Sequence, residues 1–251
     1  MSGTILRVRG LSKSWRELRA VANISFELAA GEMLAMIGPN GAGKTTCFNM
    51  LNGQLAPDAG SIEFAGRGLV GLAPRDIWRL GVGRTFQIAA TFASMTLREN
   101  LQTALLSRDK RLWSFFSLAP RSHPAEADAL LAQVGLLDQA DRPAAVLAYG
   151  DLKRLELALA LAGRPRLLLM DEPTAGMAAK ERDALMQLVA GLARESRIAV
   201  LFTEHDMDMV FGYADRVLVM HDGELIAAGR PREVRADARV REVYLGGDGY
   251  G

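Results

Sequence analysis

Residues Met33 to Thr46 read MLAMIGPNGAGKTT, a short apolar run that breaks into a glycine-rich turn ending in a lysine and two threonines. Gly38 to Thr45 satisfy G-x-x-x-x-G-K-[ST] in full, between a strand-like stretch and the start of a helix, which is the context the motif needs. Gly38, Gly41 and Gly43 let the backbone curl, with Pro39, Asn40 and Ala42 between them, so that successive N–H groups point inward at phosphate oxygens. Lys44 offers a point charge to terminal phosphates, and the Thr45 hydroxyl is a magnesium ligand. Thr46 carries the loop into a helix whose partial positive charge faces the same anion. The alternative is a chance glycine turn, and the strand–turn–helix context speaks against it.

Downstream, Arg166 to Pro173 read RLLLMDEP. The apolar run is a buried strand, and Asp171 and Glu172 fall at its C-terminal end, the edge where open α/β sheets bind ligands. With a phosphate loop upstream, Asp171 reads as a magnesium carboxylate acting through water, as in P-loop NTPases. Glu172 reads as the group that polarises an attacking water. An acidic strand end capping the next turn is the alternative. His205, in LFTEHDMDM, stands at the parallel point of another strand, IAVLF, which shifts its reading from cap or buried hydrogen-bonder towards a γ-phosphate sensor. His123, beside Pro124, and His221, before Asp222-Gly223, are given no functional role. Gln87, in GVGRTFQIAA, lies where the sheet pattern gives way to helices, a place from which it can reach both magnesium and the helical stretch.

Leu147 to Leu161 read LAYGDLKRLELALAL. Leu152, Leu155, Leu159 and Ala162 recur at helical spacing, so Gly150 and Asp151 open a helix with an apolar face. That bare start is either a plain helix cap, with Asp151 in the role, or a helix N-terminus facing an anion supplied from elsewhere.

The remaining features bound the class. The chain has 251 residues, enough for a sizeable core. Lys plus Arg number 30 and Asp plus Glu 29, so no charge excess points to nucleic acid or an anionic membrane. No apolar run approaches the roughly 18 residues of a membrane span, and MSGTILRVRG lacks the pattern of a secretion signal. The single cysteine, Cys47, fits a reducing cytoplasm. Strand-like ILRVRG, ISFELAAGE and MLAMI come first, and SIEFAGR is hairpin-like. Helical patterns dominate from about Thr91, interrupted by WSFFSLAPRSHP, where Trp113, Phe115 and Phe116 read as local core rather than a contact surface. Beyond Gly150, helices alternate with LLLM, IAVLF and VLVMH, which implies a mainly parallel sheet flanked by helices.

In order and spacing, GPNGAGKT, Gln87, LAYGD, LLLMDEP and His205 resemble the phosphate loop, glutamine loop, signature, magnesium-and-glutamate strand and switch histidine of the ATP-binding-cassette (ABC) ATPases. The likeness covers almost the whole chain. RTFQ, the LAYG form of the signature, TEHDMDMVF and the ending VREVYLGG are most similar to ATPase subunits of branched-chain amino-acid importers. The resemblance implies an α/β fold: a P-loop NTPase (RecA-like) core, an antiparallel β subdomain and an inserted α-helical subdomain. It implies a single domain over 1–251, with the core at about 1–90 and 146–251 and the helical subdomain at about 91–165, overlapping the signature helix.

The same resemblance implies ATP and Mg2+ as cofactors and catalytic roles for Glu172, His205 and Gln87, with Thr45, Gln87 and Asp171 at the metal. Trp15 falls at the aromatic position that stacks on adenine, with packing of the first hairpin as its alternative. Two cassettes stack head to tail, each ATP lying between the phosphate loop of one and Leu147, Ala148, Tyr149, Gly150 and Asp151 of the other. The implied partners are a second, different cassette, two membrane permease subunits touched by the helical subdomain and, indirectly, a substrate-binding protein, with no nucleic acid. The implied location is the cytoplasmic face of the inner membrane.

Two positions depart from the family pattern. Ala148 stands where serine is usual, removing a hydrogen bond to a charged group worth about 1.5–3 kcal/mol. Ala178 stands where an acidic or amide residue often communicates between sites. Three other functions compete with amino-acid import: uptake of urea, amides or another solute, a soluble ABC ATPase of repair, translation or chromosome work, and a non-hydrolysing subunit that gates a partner. The soluble kinds usually carry two cassettes, coiled-coil insertions or basic tracts, features not found in this sequence.

Overall fold

The structure is a computed structural model and describes residues 3–16, 18–85, 91–109 and 123–245. An antiparallel pair opens the chain, β1 (Thr4–Trp15) and β2 (Leu18–Ala29), followed by β3 (Met33–Ile37) and, past the glycine turn, α1 (Lys44–Leu51). Next come β4 (Ala59–Phe64), β5 (Arg67–Gly68), α2 (Pro74–Arg79) and β6 (Val82–Thr85). The helical stretch comprises α3 (Leu97–Arg108) and α4 (Pro124–Gln133), and short turns lead from it into α5 (Tyr149–Ala162). Strands and helices then alternate: β7 (Leu167–Asp171), α6 (Ala179–Ser196), β8 (Ala199–Thr203), α7 (Met207–Tyr213), β9 (Arg216–His221) and β10 (Glu224–Gly229). Two short helices follow, α8 (Pro231–Ala236) and α9 (Ala238–Leu245).

These strands form two sheets, β2-β1-β4-β5 and β10-β9-β3-β8-β7-β6. The first is antiparallel. The second is parallel from β9 to β6, with β10 added antiparallel at one edge. Every residue of β3, β7 and β8 is buried, as expected of parallel strands covered on both faces. Alternation then decides which core each side chain feeds. Ala35, Ile37, Leu168, Met170, Val200 and Phe202 join the core shared with α5 and α6. Their neighbours Leu34, Met36, Leu167, Leu169 and Leu201 join the core shared with the antiparallel sheet and α1. Burying each of these side chains other than Ala35 stabilises the fold by roughly 1.5–3 kcal/mol.

The helical stretch has its own start signal. Thr96 and Glu99 form a reciprocal capping box at α3, with N–H to oxygen distances of 3.2 and 2.8 Å. Asn100, nearly fully buried, folds the preceding turn around its amide. It accepts from the Phe92 N–H at 2.8 Å and donates to the Thr96 carbonyl at 2.9 Å. Arg98 reaches from α3 to Asp128 of α4 at 2.7 Å and also pairs with Asp141. Gln87, Trp113, Phe115 and Phe116 lie outside the described residues. For the site, the decisive fact is adjacency. β3, β8 and β7 are neighbours, and the phosphate loop, His205 and Asp171-Glu172 sit at their C-terminal ends.

Candidate active site

The phosphate loop is shaped by backbone pressed against backbone. Gly43 is the N-cap of α1, at φ 99 in left-handed territory, and a Cβ there would stand 2.1 Å from the Ala20 carbonyl oxygen. A Cβ on Gly38 would meet the Met220 carbonyl oxygen at 2.2 Å. Strands β2 and β9 therefore close on the loop so tightly that only glycine fits at either point. Asn40, Gly41 and Thr45 are exposed, Pro39, Gly43 and Thr46 half-buried, and Ala42 buried. Lys44 is buried and folds across the loop, its Nζ donating to the Gly38 and Pro39 carbonyls, the latter at 3.0 Å. Burial draws its pKa down, while Glu172 and Asp171 pull the other way, which marks those carboxylates as its electrostatic neighbours.

Asp171 ends β7 opposite Thr203 of β8, and this register organises the acidic end of the site. The Thr203 hydroxyl donates to Asp171 Oδ1 at 2.8 Å and accepts from the Glu172 N–H at 3.0 Å. Glu172 itself sits at φ 49, a left-handed conformation that costs a non-glycine residue about 1–3 kcal/mol. His205 follows β8, and its Nε2 lies 2.9 Å from Glu172 Oε1. Arg84, from β6, extends to Asp171 Oδ2 at 3.4 Å and donates to Asn49 at 2.7 Å and Gln54 at 2.9 Å. Glu204 is buried and takes two hydrogen bonds from Thr174. Arg84, within RTFQ, Thr203 and Glu204, within TEHDMDMVF, and Asn49 are given no role of their own by the sequence. A polar Thr-Glu pair ending the apolar run IAVLF was the available signal for two of them.

At the signature stretch, Leu147 is half-buried, Ala148 and Tyr149 are exposed and Gly150 is buried. Ala148 is the N-cap of α5 and supplies no side-chain cap. Asp151 does not cap the helix either, because its Oδ2 accepts from Gln139 Nε2 at 2.9 Å. The helix start thus keeps N–H groups without a side-chain cap. A Cβ on Gly150 would come within 3.0 Å of the Glu181 carboxylate, so this start packs closely on the beginning of α6. Trp15 is 55% exposed at the end of β1, with Lys13 Nζ 5.3 Å from its ring centroid. The ring is therefore exposed rather than packed in the hairpin core, with the Lys13 ammonium over it.

The phosphate-binding loop and the acid–histidine pair stand at neighbouring strand ends, and sequence comparison agrees with that geometry. The sequence model of a family described as ABC transporter matches residues 21–175. The chain belongs to the ABC transporter family. It is an ATP-binding cassette and an ATPase of that family. A second family model, described as branched-chain amino acid ATP-binding cassette transporter, matches the cassette over residues 224–250. The cassette is 42% identical to the high-affinity branched-chain amino acid transport ATP-binding protein LivG of Salmonella typhimurium, covering 98% of this chain and 99% of that one. It is 40% identical to the corresponding BraF protein of Pseudomonas aeruginosa, with the same coverage. Among solved structures, the ADP conformation of MJ1267, an ATP-binding cassette of an ABC transporter, superposes with a TM-score of 0.88 at 30% identity, covering 98% of this chain and all of that one. No helix among the described residues of the cassette is long and apolar enough to cross a membrane.

Proposed function

We propose that this cassette hydrolyses ATP to drive uptake of branched-chain or related hydrophobic amino acids. In this reading it pairs with a second, different cassette and with two membrane permease subunits at the cytoplasmic face of the inner membrane, and a substrate-binding protein delivers the solute. The observation that carries the solute class is the match of residues 224–250 to the branched-chain family, beyond the segment shared by ABC transporters generally.

The backbone of Gly38 to Thr45 and the Lys44 ammonium bind the phosphates, and the exposed Trp15 ring is the candidate stacking surface for adenine. Thr45 and Asp171 are the candidate magnesium ligands. A hydroxyl and a carboxylate are hard oxygen donors, and among the described residues no cluster of three or more His, Cys, Asp or Glu could cage a metal alone. That donor set fits magnesium, which keeps waters and substrate phosphate oxygens in its shell. When bound, the ion neutralises charge on the β- and γ-phosphates. Glu172 accepts a hydrogen bond from the attacking water. As the new O–P bond forms and the bond to the ADP oxygen breaks, the water's proton passes to the Glu172 carboxylate. His205, held on Glu172, faces the γ-phosphate, and Gln87 is the candidate sensor of the bound nucleotide and ion. The uncapped start of α5, Leu147 to Asp151, binds the nucleotide of the opposite cassette through N–H groups and its dipole. A cavity of about 430 Å³ between β6, α2, α3 and α5, lined by Trp78, Arg84, Phe92 and Leu159 among others, is the surface we assign to the membrane subunits.

The test is reconstitution of the cassette with its membrane partners in liposomes, measuring ATP hydrolysis and uptake of labelled leucine. ATP-dependent leucine uptake that is lost in Glu172→Gln supports the proposal. Uptake of urea or another solute in place of leucine would overturn the solute class. Hydrolysis no higher than background would overturn the hydrolytic roles.

A further inference from the structure

His205 has an acid on each side, and both acids hold the segment that follows Glu172. Glu204 is only 5% exposed, and its Oε1 accepts from the Thr174 N–H at 2.9 Å and from the Thr174 hydroxyl at 2.7 Å. Asp206 divides its two oxygens. Oδ1 caps α7, accepting from the N–H groups of Asp208 at 3.0 Å and Met209 at 3.3 Å, and Oδ2 pairs with Arg182 Nη1 of α6 at 2.8 Å. At the far end of α7, the Tyr213 hydroxyl donates to the Asp183 carboxylate at 2.8 Å. Helix α7, which follows His205, is thereby tied to α6 at both ends.

Burying a carboxylate as deeply as Glu204 is costly, and burial pushes its pKa above the usual range while the Thr174 donors oppose the shift. The contacts that offset this cost come from Thr174, two residues beyond Glu172, and from the backbone of His205. Glu172 is already in a left-handed conformation, fastened at its N–H by Thr203. Thr174 is fastened by Glu204 two residues on, and Arg182 by Asp206 at the start of α6. Between these last two points, Ala175, Gly176, Met177, Ala178 and Ala179 carry no polar side chain, and Glu181 turns back to accept from the Ala178 N–H at 3.3 Å. The links from this stretch to the His205 segment therefore run through its flanks.

We propose that Glu204 and Arg182 are positioning residues that lock the segment bearing Glu172 to the segment bearing His205, holding the two side chains at their 2.9 Å contact. This rests on the reading of Glu172 and His205 as the hydrolytic pair. Glu204 and Arg182 act through those residues and not on the nucleotide.

The experiment uses the assembled transporter with Glu204→Ala, Glu204→Gln, Arg182→Ala and the double variant Glu204→Ala with Arg182→Ala. Steady-state hydrolysis and binding of a fluorescent ATP analogue are both read. Misplacing reacting groups by a fraction of an ångström to an ångström lowers kcat, here by roughly ten- to a hundredfold for each alanine variant. KM and nucleotide Kd stay within about twofold of the parent, because binding is not what the clamp sets. Glu204→Gln keeps most of kcat, since its amide oxygen still accepts both Thr174 donors. The double variant loses less than the product of the two single losses, because both contacts serve one geometry. Alanine variants with parental kcat, a raised KM at unchanged kcat, or Glu204→Gln as impaired as Glu204→Ala would each overturn the inference. If Glu204→Ala does not fold, Arg182→Ala and Thr174→Val decide it on the same readouts. A parent transporter without ATPase activity sinks the hydrolytic reading and this inference together. An active parent with unaffected variants sinks the inference alone.

Discussion

The Nε2 atom of His205 lies 2.9 Å from Oε1 of Glu172, joining the ends of two neighbouring parallel strands. Asp171, at the end of β7, is held by the Thr203 hydroxyl at 2.8 Å, so the site is braced from the β8 side. Glu172→Gln keeps the shape of the side chain and its hydrogen bond to His205 but cannot take up a proton. Loss of general-base assistance lowers kcat by about 10²–10⁴-fold. Nucleotide affinity, measured by fluorescence titration, is expected to stay at the parental value. A Glu172→Gln protein that still turns over at the parental rate would place the water-activating group elsewhere.

Ala148 occupies the N-cap of α5 with extended backbone angles and no side-chain acceptor, the position at which serine is favoured. Ala148→Ser is expected to raise nucleotide-free stability by about 0.5–2 kcal/mol through capping alone. If the hydroxyl also donates to the opposing nucleotide, ATP-driven dimerisation in a Glu172→Gln background tightens beyond that gain. Thermal melting without nucleotide and analytical ultracentrifugation with ATP separate the two effects. A higher melting temperature with unchanged dimerisation would assign serine at this position to capping only.

What the sequence made legible follows from how local each determinant is. The phosphate loop could be read directly because its glycines answer a backbone requirement, and Gly38 and Gly43 do stand where a Cβ would strike a carbonyl. Strands β7 and β8 were legible as unbroken apolar runs, and their ends located Asp171 and His205. Partners far apart in the chain were not legible. Arg84 meets Asp171 across 87 residues and Thr174 meets Glu204 across 30, and no periodicity encodes such pairings. Asp151 shows the same limit at short range. Its sequence position suits a helix cap, yet Gln139 from a preceding turn claims the carboxylate.

Glu126 anchors the ends of three helices. It takes a bidentate pair from Arg108 at 2.7 and 3.0 Å and a third bond from Arg164 at 2.9 Å, with His123 and Asp109 completing the cluster. Arg108 foremost, with Arg164, pulls its carboxyl from 4.5 to about 2 against the opposing effect of burial. The folded pKa lies below the unfolded one, so this contribution is fully present above pH 4.5 and is lost as pH falls towards 2. Glu126→Gln should melt lower than the parent at neutral pH and converge on it in acid. Parallel melting curves across that pH range would show that the cluster adds no pH-dependent stability.

Cys47 lies one turn into α1, directly behind the phosphate loop, where a helix N-terminus would ordinarily favour a thiolate. It is fully buried instead, and burial pushes the thiol up to about 12. Native protein should therefore resist maleimide, and labelling should proceed only through opening of the fold. Because the thiol is the only one in the chain, the labelling rate reports on α1 alone. ATP at a hundred times its Kd stabilises the folded state by about 2.7 kcal/mol and should slow labelling by about a hundredfold if the opening is global. Rapid labelling of native protein would contradict the packing of α1 against the sheet. Slow labelling that ATP leaves unchanged would mean that Cys47 is reached by a local opening in which the phosphate loop still holds its nucleotide.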